Sequence, residues 1–348
     1  MKTEIIKISD LGALDSALKG AAEVIRNGGL VVFPTETVYG LGGDATNPNA
    51  AKKIFTAKGR PKDNPLIIHL ADYRDAEKYT YTTELYYKLA ECFMPGPLTV
   101  ILRSRDIIPK ETRGGLDTVA VRCPSNPIAS ALIRLSGVPI AAPSANLSGS
   151  PSPTSASHVI EDMNGRVDVI IDGGSSDFGL ESTIVKINDD GSLTLLRPGQ
   201  ITVNDLKRVV DKVTVASAVT DMLGDGEVAL SPGMKYRHYA PKAPVVLLNG
   251  DTHACIDHIA NEGLKRIAVI CYSGDLEEYR ASLKEAIFYD FGDKSDELSQ
   301  AQLLFAILRA ADKMDFDKIY APLPSKEGIG LALYNRMIRA AAYNIINL

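Results

Sequence analysis

The sequence predicts an α/β protein whose larger, N-terminal part is built on a mixed sheet. Three observations carry that prediction. Short apolar runs of strand length alternate with stretches whose apolar residues recur at helical spacing. Residues 182–187 and 193–196 flank the turn Asp189-Asp190-Gly191, so they form a hairpin and the sheet is not purely parallel. Beyond residue 241 the alternation restarts, which marks a second, smaller three-layer α/β domain. At 348 residues, the length favours two domains over one.

Each element has a local reason. Residues 14–25 carry apolar side chains at helical spacing and stop at Asn27-Gly28-Gly29. The run Leu30-Val31-Val32-Phe33 is a short buried strand leading into Pro34-Thr35-Glu36-Thr37. Asn47-Pro48 opens a second helix, with Asn as cap and Pro at the first helical position. Residues 66–70, 98–102 and 119–122 read as strands, and 128–135 as a helix. A strand at 139–142 ends in the loop of Ser144 and Asn146. Strands follow at 167–171, 182–187 and 193–196. Residues 206–241 read as a connector, with a stretch of small and acidic residues before Ser231-Pro232-Gly233. In the second part 245–248, 267–271 and 318–321 read as strands, and 254–263, 298–311 and 331–343 as helices. The expected domains are therefore 1–205, a linker at 206–241, and 242–348.

Composition narrows the function. The chain is 45% hydrophobic and 23% charged, and no apolar run approaches the roughly 20 residues that span a bilayer. The formal charge of −5 does not suit a general polyanion binder. Cysteines at 92, 123, 255 and 271 include no Cys-x-x-Cys pair, and read as reduced thiols of a cytoplasmic protein. No His-Glu-x-x-His pattern occurs, and no protein-ligated metal is expected.

Four short segments share one chemistry. They are Pro34-Thr35-Glu36-Thr37-Val38-Tyr39-Gly40-Leu41-Gly42, Lys58-Gly59-Arg60-Pro61 with Asn64-Pro65-Leu66, Ala142-Pro143-Ser144-Ala145-Asn146 with Ser148-Gly149, and residues 231–241. Gly and Pro fix tight turns, and hydroxyls, amides and cations then point at a ligand. Polar residues just past strand ends often line the ligand crevice of α/β sheets. Thr35 and Thr37 are so placed, although a plain turn would also favour Thr. Lys58 and Arg60 follow a helix, whose C-terminus favours cations for dipole reasons alone; the functional reading is neutralisation of a triphosphate. Arg122 ends a strand and can clamp a carboxylate through two parallel hydrogen bonds. Ser144 and Asn146 could cradle phosphate, while Ser148 and Ser152 could instead be helix caps. No Gly-x-Gly-x-x-Gly or Walker-type loop occurs, and no nucleophile–base set stands out. Positioning and cation stabilisation are the expected chemistry.

Together these segments resemble the Sua5/YrdC/YwlC family of threonylcarbamoyl-AMP synthases. The resemblance covers residues 12–205 for a YrdC-like part, and 231–241 is similar to the linker signature of the two-domain Sua5 form. Residues 242–348 resemble the C-terminal Sua5 domain by position and length. It implies a YrdC-like open, twisted mixed sheet with a concave cleft, plus a smaller Rossmann-like α/β domain. It also implies a nucleotidyltransferase that joins L-threonine, bicarbonate and ATP into L-threonylcarbamoyladenylate and releases pyrophosphate. That product feeds the transfer machinery that makes N6-threonylcarbamoyladenosine at position 37 of tRNA. By the resemblance Thr35, His69, Arg122 and Ser182 hold threonine. Lys58, Arg60, Asn64, Thr118, Ser144, Asn146, Ser152 and Arg197 contact ATP, with Lys58 and Arg60 catalytic. Tyr236, Arg237 and His238 close over the nucleotide from the linker, and Mg2+ arrives with the ATP.

Two other readings stand beside this one. An RNA-binding accessory module would need a local basic patch, and its binding would be weak and salt-sensitive. A carbamoyl-transfer enzyme of the hydrogenase-maturation type would also carry cysteine pairs and an acylphosphatase-like part, and neither is visible.

Overall fold

The computed structural model describes residues 2–222 and 239–348. These residues gather into two compact units: one of 2–148 and 152–222, the other of 149–151 and 239–348.

Twelve strands of the first unit form one mixed sheet. They are β1 (Glu4–Lys7), β2 (Val31–Phe33), β3 (Gly40–Asp44), β4 (Ile67–His69), β5 (Thr80–Tyr81), β6 (Leu98–Ser104), β7 (Thr118–Arg122), β8 (Ile140–Ala142), β9 (Val169–Asp172), β10 (Thr183–Ile187), β11 (Leu193–Arg197) and β12 (Val213–Val215). Their spatial order is β1-β9-β2-β3-β8-β4-β7-β6-β10-β11-β12, with β5 on the flank of β6. The β10–β11 hairpin is antiparallel as the turn residues predict. Strands β4 and β7 run parallel, while β6 and β8 run against them.

The sequence explains much of this. Helix Leu14–Arg26 buries Leu14, Leu18, Ala21, Ala22 and Ile25, one stripe at helical spacing. That stripe packs with Ile128, Leu132 and Ile133 of helix Pro127–Ser136 and with Val31, Phe33 and Ile171 of the sheet. Helix Pro48–Lys58 starts where Asn47 accepts a hydrogen bond from the Asn49 N–H at 2.9 Å. It stops at Gly59, which takes a left-handed φ of 63°.

Among the elements that escape the sequence pattern, such as helix Glu84–Phe93 and strand β5, two show why most plainly. The glycine-rich run 40–44, read above as part of a turn segment, is strand β3. Its glycines serve close packing: a Cβ on Gly42 would stand 2.6 Å from Ile140 and 2.7 Å from Phe33. The connector reading set residues 206–241 apart, yet β12 pairs with β11 at the edge of the first sheet. Residues 223–238 of that connector lie outside the described residues.

The second unit is a parallel sheet of five strands: β13 (Val245–Asn249), β14 (Ile267–Cys271), β15 (Ile287–Asp290), β16 (Lys318–Pro322) and β17 (Ile345–Asn347), in the order β15-β14-β16-β13-β17. Helix Thr252–Glu262 packs Cys255, Ile256 and Ile259 on Val246, Val269 and Tyr320 of this sheet. Strands alternating with helices give the three-layer α/β pattern predicted from sequence. Among the described residues no helix is long and apolar enough to cross a membrane.

Candidate functional site

Strand register builds the site. Residues directly opposite one another in a sheet point to the same face. His69 lies opposite Arg122, and Arg122 opposite Thr99. Thr99 lies opposite Ile184, and Ile184 opposite Arg197. One row, His69–Arg122–Thr99–Ile184–Arg197, therefore crosses five strands on one face. Two residues along, Ile67, Ala120 and Ile101 form a second row on that face. These three pack with Ile184, Leu196 and Ala218 into a buried apolar cluster.

The polar row is densely bonded. Arg122 Nη2 donates to Glu36 Oε1 and to Thr37 Oγ1, each at 2.8 Å. Ser182 Oγ and Thr99 Oγ1 share a hydrogen bond of 2.7 Å. Arg197 donates to the Ser182 carbonyl at 2.9 Å and to Ser182 Oγ at 3.0 Å. Ser152 donates to Glu181 at 2.5 Å, next door to Ser182. His69 Nδ1 lies 3.2 Å from the Ile67 carbonyl oxygen. Burial, reinforced by the Arg122 charge, pushes the His69 pKa down to about 3, so the ring is neutral at ordinary pH.

The loop after β2 is fixed by its own hydroxyls. Thr35 Oγ1 donates to the Val38 carbonyl at 2.6 Å and lies 2.9 Å from Thr37 Oγ1. The Thr37 and Val38 N–H groups both donate back to Thr35 Oγ1 at 3.2 Å. On its far side the loop joins the 143–145 segment: the Ala145 N–H donates to the Tyr39 carbonyl at 2.8 Å, and the Leu41 N–H to the Pro143 carbonyl at 2.9 Å.

A second cluster sits at the other end of the strands. Ala142 of β8 and Ala120 of β7 both lie opposite Ile67, and β8 runs against both β4 and β7. Ser144 therefore leaves the sheet at the level of Thr118. Lys58 Nζ donates to the carbonyls of Ser144 and Asn146, each at 2.5 Å. Ser144 Oγ donates to Asn146 Oδ1 at 2.5 Å, and Asn146 Nδ2 to the Leu147 carbonyl at 2.7 Å. Arg60 donates to the Asn64 and Pro65 carbonyls at 3.3 and 3.2 Å. Thr118 shares the face of Arg122 but stands four residues back along β7, about 13 Å away at the usual rise per residue.

The structure thus brings His69, Arg122 and Ser182 to one end of the face, bonds Lys58 with Ser144 and Asn146, sets Arg60 beside Asn64, and leaves Thr118 further back along β7; the Thr35 turn touches both groups, Arg122 through Thr37 and the 143–145 segment through Tyr39. Arg197 and Ser152, expected with the second set, are bonded in the first, at Ser182 and Glu181. Ser152 caps no helix; Ser155 holds the cap position of helix Ala156–Met163. Tyr236, Arg237 and His238 lie outside the described residues. Sequence reading passed over Glu36, Thr99 and Glu181. Glu36 stands between Thr35 and Thr37, and Thr99 is a polar residue in an apolar strand, so a signal was present for both.

Comparison with known proteins matches the chain in two stretches. The Sua5–YciO–YrdC family model, described as telomere recombination, matches residues 23–199. A model described as the C-terminal domain of threonylcarbamoyl-AMP synthase matches residues 201–342. A Pyrococcus abyssi protein named threonylcarbamoyl-AMP synthase is 44% identical over 94% of each chain. A Bacillus subtilis protein of that name is 42% identical over 99% of this chain and 100% of its own. The solved structure of P. abyssi Sua5 complexed with L-threonine is 41% identical, covers 100% of both chains and gives a TM-score of 0.89.

Proposed function

We propose that this chain, which belongs to the Sua5–YciO–YrdC family, is a threonylcarbamoyl-AMP synthase. It joins L-threonine, bicarbonate and ATP and releases pyrophosphate. The product supplies the machinery that makes N6-threonylcarbamoyladenosine in tRNA. One observation carries the reading: a buried guanidinium and a lysine-held polar loop are joined by one turn, residues 35–39, which bonds to Arg122 through Thr37 and to the 143–145 segment through Tyr39. Those are the needs of an amino acid at one end and a triphosphate at the other.

The chemistry suits that division. The amine of threonine joins bicarbonate to give a carbamate, and a carbamate oxygen then attacks the α-phosphate. Both partners are anionic, so the site must hold them in line and neutralise them. Arg122 takes the threonine carboxylate, Ser182 offers its hydroxyl, and Thr35, whose own hydroxyl locks the turn, shapes the wall beside them. Neutral His69 adds no second full charge beside Arg122. Lys58 anchors the Ser144–Asn146 loop, and Arg60 stands at the same end for the phosphates. Mg2+ would ride on the triphosphate oxygens and supply further charge neutralisation there. Burial of Glu36, His69 and Arg122 limits water where the carbamate would form, which protects it.

The test is pyrophosphate release from ATP, with and without threonine and bicarbonate, with mass detection of the product. Release that needs both co-substrates, with the mass of threonylcarbamoyl-AMP, supports the reading. Folded, ATP-binding protein that releases none overturns it.

A further inference from the structure

We propose that Glu36 is the acidic half of a zwitterion site: it receives the α-ammonium of the amino acid whose carboxylate Arg122 takes, and it accepts a proton as that amine becomes the nucleophile. The inference rests on the reading of the chain as a threonylcarbamoyl-AMP synthase. It adds a residue which the threonine set of Thr35, His69, Arg122 and Ser182 lacks. That set holds one cation, one neutral ring and two hydroxyls, and nothing in it answers an ammonium.

Glu36 and Arg122 are 6% and 4% exposed. Their contact is a single bond, Nη2 to Oε1 at 2.8 Å, and not the two-point fork that the pair could form. Both hydrogen bonds made by Arg122 run through Nη2. Among the described residues Arg122 Nε is buried without a hydrogen-bond partner, and so is Glu36 Oε2. An unpaired buried polar atom is costly, and a charged one more so. Here a donor and an acceptor go unused within one ion pair.

An α-amino acid carries a carboxylate and an ammonium on one carbon. Its complement is a donor and an acceptor side by side, both charged, both shielded from water. Arg122 Nε and Glu36 Oε2 are a buried, unused donor and acceptor on two side chains that an ion pair holds together. The geometry is built in. The hydroxyl-locked turn at Thr35–Val38 fixes the backbone that carries Glu36, and Thr37 ties the same turn to Arg122. Strand register fixes Arg122 from the other side.

The step balances. The ammonium transfers one proton to the Glu36 carboxylate and becomes a free amine. The amine nitrogen then forms a bond to the bicarbonate carbon, and a carbon–hydroxyl bond breaks. The leaving hydroxide takes the second nitrogen proton and departs as water, so the carbamate remains. The proton held by Glu36 returns to solvent. No oxidant or reductant is involved.

The experiment uses the full chain and calorimetric binding, which does not depend on turnover. Wild type, Glu36→Gln and Glu36→Asp are titrated with threonine, with ATP, and with the hydroxy acid that carries a hydroxyl in place of the amine. Wild type should prefer threonine to the hydroxy acid by about tenfold or more, and Glu36→Gln should lose most of that preference while ATP binding changes by less than about threefold. Glu36→Asp keeps the acceptor, so it should keep the preference and lose turnover. A Glu36→Gln protein that separates amine from hydroxyl as well as wild type overturns the proposal. If Glu36→Gln fails to bind ATP, Glu36→Asp decides: loss of the preference there also overturns it. Absence of threonylcarbamoyl-AMP from wild type would sink the underlying reading instead, and the two failures are separable.

Discussion

Replacing Lys58 with Met should destabilise the first unit as well as disable the site. Lys58 is the last residue of its helix and is only 2% exposed. Its ammonium donates to two loop carbonyls, Ser144 and Asn146, each at 2.5 Å. Hydrogen bonds to a charged group contribute about 1.5–3 kcal/mol each, so their loss costs about 3–6 kcal/mol. Removing a buried ammonium also removes its desolvation cost, which returns a few kcal/mol. A net loss of about 3 kcal/mol is expected. For a unit of this size that lowers Tm by about 6–12 °C, at about 2–4 °C per kcal/mol. Scanning calorimetry of the full chain reads this directly. Lys52→Met is the control, because Lys52 is exposed and its ion pair with Glu111 spans 3.5 Å at the surface; it should cost less than about 1 kcal/mol. Pyrophosphate release by Lys58→Met should fall about tenfold or more. If Lys58→Met melts within about 2 °C of Lys52→Met, the ammonium does not hold the loop and the reasoning fails.

Two further outcomes follow. The folded-state pKa of His69 is pushed down to about 3 by burial and by Arg122. The unfolded ring takes a proton below about pH 6.5 and the folded ring does not, so stability contributed by the neutral ring is lost as pH falls from about 6.5 toward 3. Urea unfolding of wild type should show about 2 kcal/mol of such loss between about pH 7.5 and about pH 5. His69→Asn should lack it, and an identical pH dependence in the two proteins would count against a buried neutral ring. Arg122→Lys should raise the KM for threonine about tenfold and leave that for ATP within about twofold, since a point charge cannot replace a fork. Equal losses for both ligands would speak against a carboxylate clamp.

Much of the fold was legible because its signals are local. Asn47-Pro48 and Gly59 bracket a helix by capping chemistry, and that helix runs between them. Apolar spacing located the helix at Leu14–Arg26 and the strands at Ile267–Cys271 and Lys318–Pro322. β3 was not legible, because a glycine-rich strand owes its existence to the close approach of Phe33 and Ile140 and not to any propensity of its own. β12 was missed for a related reason: an exposed edge strand needs little apolar pattern. At the site, the residue types pointed to anions, and turn-forming segments gave the places. The pairing of Arg122 with Glu36 was hidden, since it joins positions 86 apart in the chain. The turn at Thr35–Val38 and the register of β7 bring them together.

The placement of Arg197 shows how far register decides. In the β10–β11 hairpin Ile187 lies opposite Leu193, Lys186 opposite Thr194, and Val185 opposite Leu195. Continued regularly, that ladder would set Ile184 against Leu196 and Arg197 against Thr183. Thr183 faces away from Ser182 and Ile184, because neighbours along a strand alternate. Arg197 would then leave the polar row. Instead the register shifts between Ile184 and Val185, so that Arg197 lies opposite Ile184. The extra residue is Leu196, which joins the buried apolar cluster beside Ile184. One bulge thus turns a guanidinium inward and supplies a hydrophobic contact, an established use of bulges near sites. No spacing rule applied to residues 193–197 could have assigned Arg197 to that face. A regular hairpin would have sent it to the opposite one, away from Ser182, whose carbonyl and hydroxyl it now holds.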